Sequence, residues 1–205
     1  MPAGPNAPTM LLVLAGPAGA GKSTLCDRLV VEAPGFERVI TATTRPPRSG
    51  EVDGRDYHFL TQRQFDERLA AADFLEWAWV HRTHRYGTLK SAVLDRLPHS
   101  NLVINVDVQG VRSIRQAAAS EPLLRSRLVT VFVAPDTLEE LRRRLAYRGT
   151  DDKAEIERRL QTAVAELREK SSYDYVLHSR SKEEDFRALL DIWRQARRRA
   201  VGAAG

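Results

Sequence analysis

The residues with the clearest chemical meaning form one run, Gly16-Pro-Ala-Gly-Ala-Gly-Lys22-Ser23, followed by Thr24. It satisfies the pattern G-x4-G-K-[ST], with Pro17, Ala18, Gly19 and Ala20 in the open positions before Gly21. Glycines at this spacing let successive backbone N–H groups turn inward onto phosphate oxygens, and a helix starting there adds its positive dipole end. Lys22 would bridge the β- and γ-phosphates of a nucleoside triphosphate, and the Ser23 hydroxyl would ligate Mg²⁺. The alternative is a small-residue turn without a ligand. The motif says nothing about the acceptor of a phosphoryl group.

A second group lies downstream. Arg45 and Arg48 flank Pro46-Pro47, a stiff spacer that would fan two guanidinium forks around one phosphate dianion. Tyr57 and Tyr86 would add hydroxyl donors, and the alternative is a solvated basic loop. Glu76 sits in the apolar, aromatic stretch Phe74-Leu-Glu-Trp-Ala-Trp79. A carboxylate there matches the adjacent N1–H and 2-amino donors of guanine and would be left unpaired by adenine. Read alone, it is an exposed strand glutamate. Asp107 follows the apolar run Leu102–Val106 and suits either a Mg²⁺ site or the N-cap of the next helix, and the two roles are compatible. Arg144 and Arg148 are one helical turn apart, with Arg159 on the following helix. His81-x-x-His84 lacks acidic or cysteine partners and reads as an exposed loop.

These residues need a scaffold, and the pattern supplies one. Met10–Ala15 is a continuous apolar run, as in a buried parallel strand, and a helix over Lys22–Glu32 stops at Pro34-Gly35. A short strand is expected near Arg38–Thr41. Thr43–Asp56, rich in Arg, Pro, Gly and acids, reads as a functional loop. Tyr57–Leu60 is strand-like, Thr61-x-x-Gln64 offers a capping box to a helix running to about Ala71, and Phe74–Val80 and Tyr86–Thr88 are further strands. Residues 42–88 thus read as an inserted lobe. Regular alternation then returns: strand Leu102–Val106, helix Val108–Ala119, strand Arg127–Val133, a helix capped by Thr137 and ending near Gly149, and helix Lys153–Lys170. Strand Tyr175–Leu177 and a helix capped by Ser181 and ending in Arg197-Arg-Arg199 complete the pattern. It implies an α/β fold with a parallel sheet covered on both faces. Residues 1–9 and 200–205 read as tails, with the terminal arginines in a solvated end.

The chain has 205 residues, 42% hydrophobic and 29% charged, which suits one globular domain of ordinary size. Its net charge of +5 fits polyanionic company, and almost all of the basicity is arginine, since lysine occurs only at positions 22, 90, 153, 170 and 182. One cysteine, Cys26, rules out an internal disulfide and fits a reducing compartment. Met10–Ala15 is too short, and too quickly followed by glycines, for a signal core, and no run reaches membrane-spanning length. The expectation is a cytoplasmic protein acting on small molecules, with neither nucleic acid nor membrane as partner. Oligomeric state is not legible.

Thr43-Thr-Arg-Pro-Pro-Arg-Ser-Gly-Glu-Val-Asp-Gly-Arg-Asp-Tyr57-x-Phe59 resembles the GMP-binding segment of guanylate kinases nearly residue for residue. So do Phe74-x-Glu76-Trp77, Tyr86-Gly-Thr88 and Asp107-x-Gln109-Gly110, and with the phosphate loop and Arg144-x3-Arg148-Gly-Thr150 the resemblance spans about residues 10–178. It implies a phosphate-loop fold with a GMP lobe over 42–88 and a helical lid over 148–170. It also implies transfer of the γ-phosphoryl of ATP to GMP, assisted by Mg²⁺ at Ser23 and Asp107. By the same resemblance Thr41, Arg45, Arg48, Tyr57, Glu76, Tyr86, Thr88 and Asp107 contact GMP. Lys22, Arg45, Arg144, Arg148 and Arg159 would then be the catalytic cations. The rivals are a related kinase for another phosphate ester and a non-catalytic guanylate-kinase-like module, the latter expected to lose the phosphate loop or lid arginines. Three departures stand out: Asn105 replaces a usual carboxylate, the basic link His81–Arg85 is longer than usual, and Leu177-His-Ser-Arg180 replaces an Asn-Asp pair that contacts the ATP base.

Overall fold

The computed structural model describes residues 8–80, 83–147 and 153–202. In chain order the elements are β1 (Leu11–Ala15), α1 (Lys22–Glu32), β2 (Phe36–Arg38), β3 (Ala42–Thr43), β4 (His58–Phe59), α2 (Gln62–Ala70), β5 (Phe74–Val80), β6 (His84–Leu89) and α3 (Lys90–Leu94). There follow β7 (Asn101–Asn105), α4 (Val108–Ser120), α5 (Pro122–Arg127), β8 (Leu128–Pro135), α6 (Leu138–Tyr147), α7 (Lys153–Leu167), β9 (Tyr175–Ser179) and α8 (Lys182–Gly202).

Five strands form a parallel sheet in the order β2-β7-β1-β8-β9. Every residue of β1 is fully buried, which is why its sequence is unbroken apolar rather than alternating. Successive side chains still go to opposite faces. Leu12 and Leu14 pack with Leu25 and Leu29 of α1 and Phe186 and Leu189 of α8, whereas Leu11 and Val13 pack with Val111 and Ile114 of α4 and with Val93 of α3. The sheet is therefore covered on both sides, as the alternation of strands and helices implies.

The second sheet has the order β4-β3-β6-β5 and is antiparallel except between β3 and β4. Its small core is Ala42, Phe65, Phe74 and Leu89, with Phe65 stacked on Phe74 at 4.3 Å between ring centres. Helix α2 starts on the capping box read from sequence: the Thr61 hydroxyl accepts from the Gln64 N–H at 3.2 Å while Gln64 Oε1 accepts from the Thr61 N–H at 2.8 Å. A third apolar cluster joins Leu141 and Leu145 of α6 to Ile156, Leu160 and Ala163 of α7.

Several boundaries differ from expectation. Of the strand expected at Arg38–Thr41 only Arg38 is in a strand: β2 ends there and β3 begins at Ala42 in the other sheet, because the chain leaves the parallel sheet once the Val39 N–H has bonded the Val103 carbonyl. Helix α7 ends at Leu167, with a 3₁₀ turn over Lys170–Ser172. Of the expected tail 1–9, residues 1–7 lie outside the described residues, and Thr9 is tied down by hydrogen bonds to the Leu97 carbonyl and the Arg127 guanidinium. At the other end Arg197 and Arg199 belong to α8, with their guanidinium groups over the rings of Trp193 and Tyr175, so they are not a frayed end. No helix among the described residues is long and apolar enough to cross a membrane.

Candidate functional site

The phosphate loop joins β1 to α1. Gly16, Gly19 and Gly21 all have positive φ, the conformation that turns the N–H groups inward. At Gly16 the need is also steric, since an added Cβ would lie 2.3 Å from the Val133 carbonyl oxygen. The N-cap of α1 is Gly21, with no side chain bonded to the first turn, so the helix end is open to an external anion. The Lys22 ammonium bends back onto the loop, donating to the carbonyls of Gly16 at 2.5 Å and Pro17 at 3.0 Å. Asn105 Nδ2 lies 3.4 Å from the Ser23 hydroxyl at the C-terminal end of β7.

Between this loop and the second sheet lies a cavity of about 530 Å³. Lys22 borders it from one side, Thr41, Tyr57, Glu76 and Tyr86 from the other, and Asp107 and Arg159 close it. The sequence places these seven residues up to 137 positions apart (Lys22 to Arg159), and the fold brings them to one space.

Glu76 is 8% exposed. Its Oε1 accepts a 2.6 Å hydrogen bond from the Thr88 hydroxyl on the neighbouring strand. Burial pushes its carboxyl up to about 7; Thr88 opposes the shift and nearby Asp107 adds to it. Thr88 is itself fully buried, so its hydroxyl meets Glu76 rather than the cavity. Asp107 fills the cap role, accepting from the Gly110 N–H at 2.7 Å through Oδ1, while its side chain also borders the cavity.

Arg45 is buried, and its Nε donates to the Tyr86 hydroxyl at 3.1 Å. The rest of its fork is held by Glu51, through two bonds of 2.9 Å each, and by the Pro46 carbonyl at 2.7 Å. Tyr57 and Tyr86 pack edge to face at 5.8 Å, and Arg45 lies 5.5 Å over the Tyr57 ring. Arg48 is exposed, and its backbone N–H donates to Glu51 at 2.7 Å. Glu51 is the residue that sequence reasoning missed. It lies in the segment that carries the resemblance, but nothing in its spacing announces that it aligns Arg45.

Arg144 is fastened by Glu140 at 2.8 Å, by the Ser179 hydroxyl at 3.1 Å and by the Arg180 carbonyl at 3.3 Å. This places it at a second cavity, of about 600 Å³, on the far side of the loop beside Gly19, Gly21 and Thr24. Arg159 is aligned by Glu155 at 3.0 Å. Arg148, Gly149 and Thr150, like His81 of the basic link, lie outside the described residues. Glu166 of α7 also borders the first cavity, half-buried and facing Lys22 and Asp107, with its carboxyl pushed up by burial; its helical spacing marks it only as polar.

Among the described residues no group of three or more His, Cys, Asp or Glu side chains is placed to hold a metal ion by itself. The oxygens near the loop, the Ser23 hydroxyl and Asp107, suit an ion held mainly by phosphates and water, which is how Mg²⁺ is usually bound.

A parallel sheet with a phosphate loop at its first strand, facing a second sheet across a polar cavity, defines a phosphate-loop phosphotransferase. The guanylate kinase family model matches residues 9–196. A guanylate kinase of Wolinella succinogenes is 41% identical over 187 residues, covering 91% of this chain and 84% of its own length. One of Nitratidesulfovibrio vulgaris is 45% identical over 166 residues, covering 80% and 76%. The crystal structure of guanylate kinase from Anaplasma phagocytophilum shares the fold, with a TM-score of 0.71 at 24% identity over 93% of this chain and 87% of its own. The chain belongs to the guanylate kinase family.

Proposed function

We propose that this enzyme transfers the γ-phosphoryl of ATP to GMP, giving ADP and GDP, and that residues 42–88 hold GMP while residues 148–170 act as the lid. The observation that carries the reading is Glu76, a buried acceptor on the cavity wall opposite Lys22. A carboxylate in that position rewards the paired N1–H and 2-amino donors of guanine and penalises adenine.

The remaining roles are those the resemblance implies, and the residues lining the cavity support them. Arg45, Arg48, Tyr57 and Tyr86 take the GMP phosphate, Thr41 and Asp107 border its nucleoside, and Thr88 orients Glu76. The loop from Gly16 to Thr24 takes the triphosphate, with Lys22 moving from its own carbonyls to the transferring phosphoryl. Arg144, Arg148 and Arg159 neutralise charge as it develops. The acceptor oxygen is already anionic, so alignment and charge neutralisation suffice without a general base. Mg²⁺ would be held at Ser23 and Asp107 and would neutralise charge between the β- and γ-phosphates. A reducing, cytoplasmic setting suits the lone buried Cys26, whose thiol burial pushes up to about 12.

A coupled assay of ADP release with GMP, AMP, UMP and ribose phosphates tests the reading. GMP alone is expected to support rapid turnover; equal rates with another phosphate ester, or none with GMP, would overturn it.

A further inference from the structure

The second cavity has a chemistry of its own. It opens between the phosphate loop and the ends of α6 and β9, with Leu25 as an apolar floor and the Tyr147 ring, 93% exposed, at its rim. A triphosphate laid along Gly19–Thr24 would place its base here, which rests on the donor-site reading given above.

Side-chain carboxylates are scarce among the described residues that line it. The one carboxylate, Asp185, is buried and spent: Oδ2 accepts from the Ser179 hydroxyl at 2.7 Å and Oδ1 from the Arg180 N–H at 2.7 Å. Ser179 is fully buried and its hydroxyl also takes the Arg144 guanidinium, so it does not turn toward the cavity. The remaining charged groups are cations. Arg143 is paired with Glu140 at 2.7 Å, whereas the Arg180 and Lys182 side chains are exposed and make no hydrogen bond or ion pair among the described residues. Thr24 and Tyr147 carry hydroxyls, which donate or accept alike and so do not choose between bases.

A wall of donors suits a base edge made of acceptors. The 6-oxopurines present O6 and N7, which an arginine fork takes in bidentate fashion; adenine presents its 6-amino donor in place of O6. Against Arg180 and Lys182 that amino group meets donors, with no free carboxylate to receive it among the described lining residues. We infer that the donor site of this enzyme does not select adenine, and that a 6-oxopurine nucleoside triphosphate phosphorylates GMP at least as efficiently as ATP does. Arg180 is the residue that sets the preference.

The test uses the full chain and isotope-labelled GMP, with labelled GDP read by mass spectrometry for ATP, ITP and GTP in turn. The label separates the product from diphosphate left by the donor. kcat/KM for ITP and GTP is expected at or above that for ATP, and Arg180→Ala should lower the 6-oxopurine-to-ATP ratio by about five- to a hundredfold, the range of one bidentate base contact. ATP favoured by about threefold or more, or a ratio unmoved by Arg180→Ala in a folded variant, would overturn the inference. If no donor yields labelled GDP, the proposed reaction itself fails. Calorimetry with GMP present then decides the pocket alone: tighter binding of GMP-PNP than AMP-PNP sustains the inference, and the reverse ends it.

Discussion

In the proposed reaction the two halves of this site would recognise phosphate by different means. On the loop side the contacts come from backbone: three glycines with positive φ, an uncapped helix end and one lysine. On the second sheet they come from side chains, with Arg45 aligned by Glu51, Tyr86 bonded to Arg45, and Glu76 bonded to Thr88. Backbone N–H groups carry no information about what the phosphate is attached to, so the loop grips any triphosphate. Side chains with fixed partners carry shape and charge, so the acceptor half can choose its nucleotide. The loop is anchored to the parallel sheet by a glycine that leaves no room for a methyl group; the acceptor half rests on a small core in which Ala42, Phe65, Phe74 and Leu89 are buried among the described residues.

The sharpest break of this contrast is Lys22→Ala. It removes the lysine ammonium of the loop half and should lower kcat by about 10²–10³-fold or more, as for other preorganised transition-state donors. GMP binding, measured by calorimetry, should hardly change, and a matching loss of GMP affinity would show that the halves are not separable. The complementary change is Glu76→Gln, which keeps the shape and removes the charge. It should raise KM for GMP by about ten- to a hundredfold, the size of a hydrogen bond to a charged group, and leave KM for the triphosphate within about twofold. Steady-state kinetics with both substrates varied gives both numbers, and a change confined to kcat would contradict the division.

The same contrast governs what the sequence reveals. The loop was legible at once because its requirement is on backbone, and only glycine at Gly16, Gly19 and Gly21 meets it cheaply. Strand β1 was legible because burial on both faces leaves no polar position. The acceptor half was legible only through a resemblance: Arg45 and Glu76 read alone are a basic loop and a strand glutamate. Short helices such as α3 and α5 escaped, since five or six residues show no period. So did the split between β2 and β3, which depends on where the chain exchanges one sheet for another and leaves no local mark. The Glu51–Arg45 fork and the spent carboxylate Asp185 are tertiary pairings that composition and spacing do not encode.

Acidity probes the acceptor half through Glu76. With its carboxyl pushed up to about 7, Glu76 is protonated as pH falls through neutrality, and in the proposed complex the proton would occupy an oxygen that guanine needs. Because GMP prefers the ionised form, KM for GMP should climb as pH drops below about 7, approaching tenfold per unit, while saturation with the triphosphate stays flat. Binding GMP near neutral pH should also release a proton, seen as a dependence of the calorimetric enthalpy on the buffer's ionisation heat. A KM for GMP constant from pH 8 to about 5.5 would mean that Glu76 does not meet the base.

The smallest effect lies where the halves meet. Asn105 Nδ2 is 3.4 Å from the Ser23 hydroxyl, on the strand that leads to Asp107, and it brings no charge to the place where Mg²⁺ would sit. Asn105→Asp adds a carboxylate of nearly the same shape. Asp107 is exposed to solvent, so water screens the added attraction, and a gain of about 1 kcal/mol, or roughly fivefold in half-saturating Mg²⁺, is the scale set by a unit charge pair at about 4 Å in water. A magnesium titration at saturating GMP and triphosphate measures it. A shift in KM for GMP instead would assign Asn105 to the acceptor half, because a residue on the metal side has no reason to alter how the guanine edge meets Glu76.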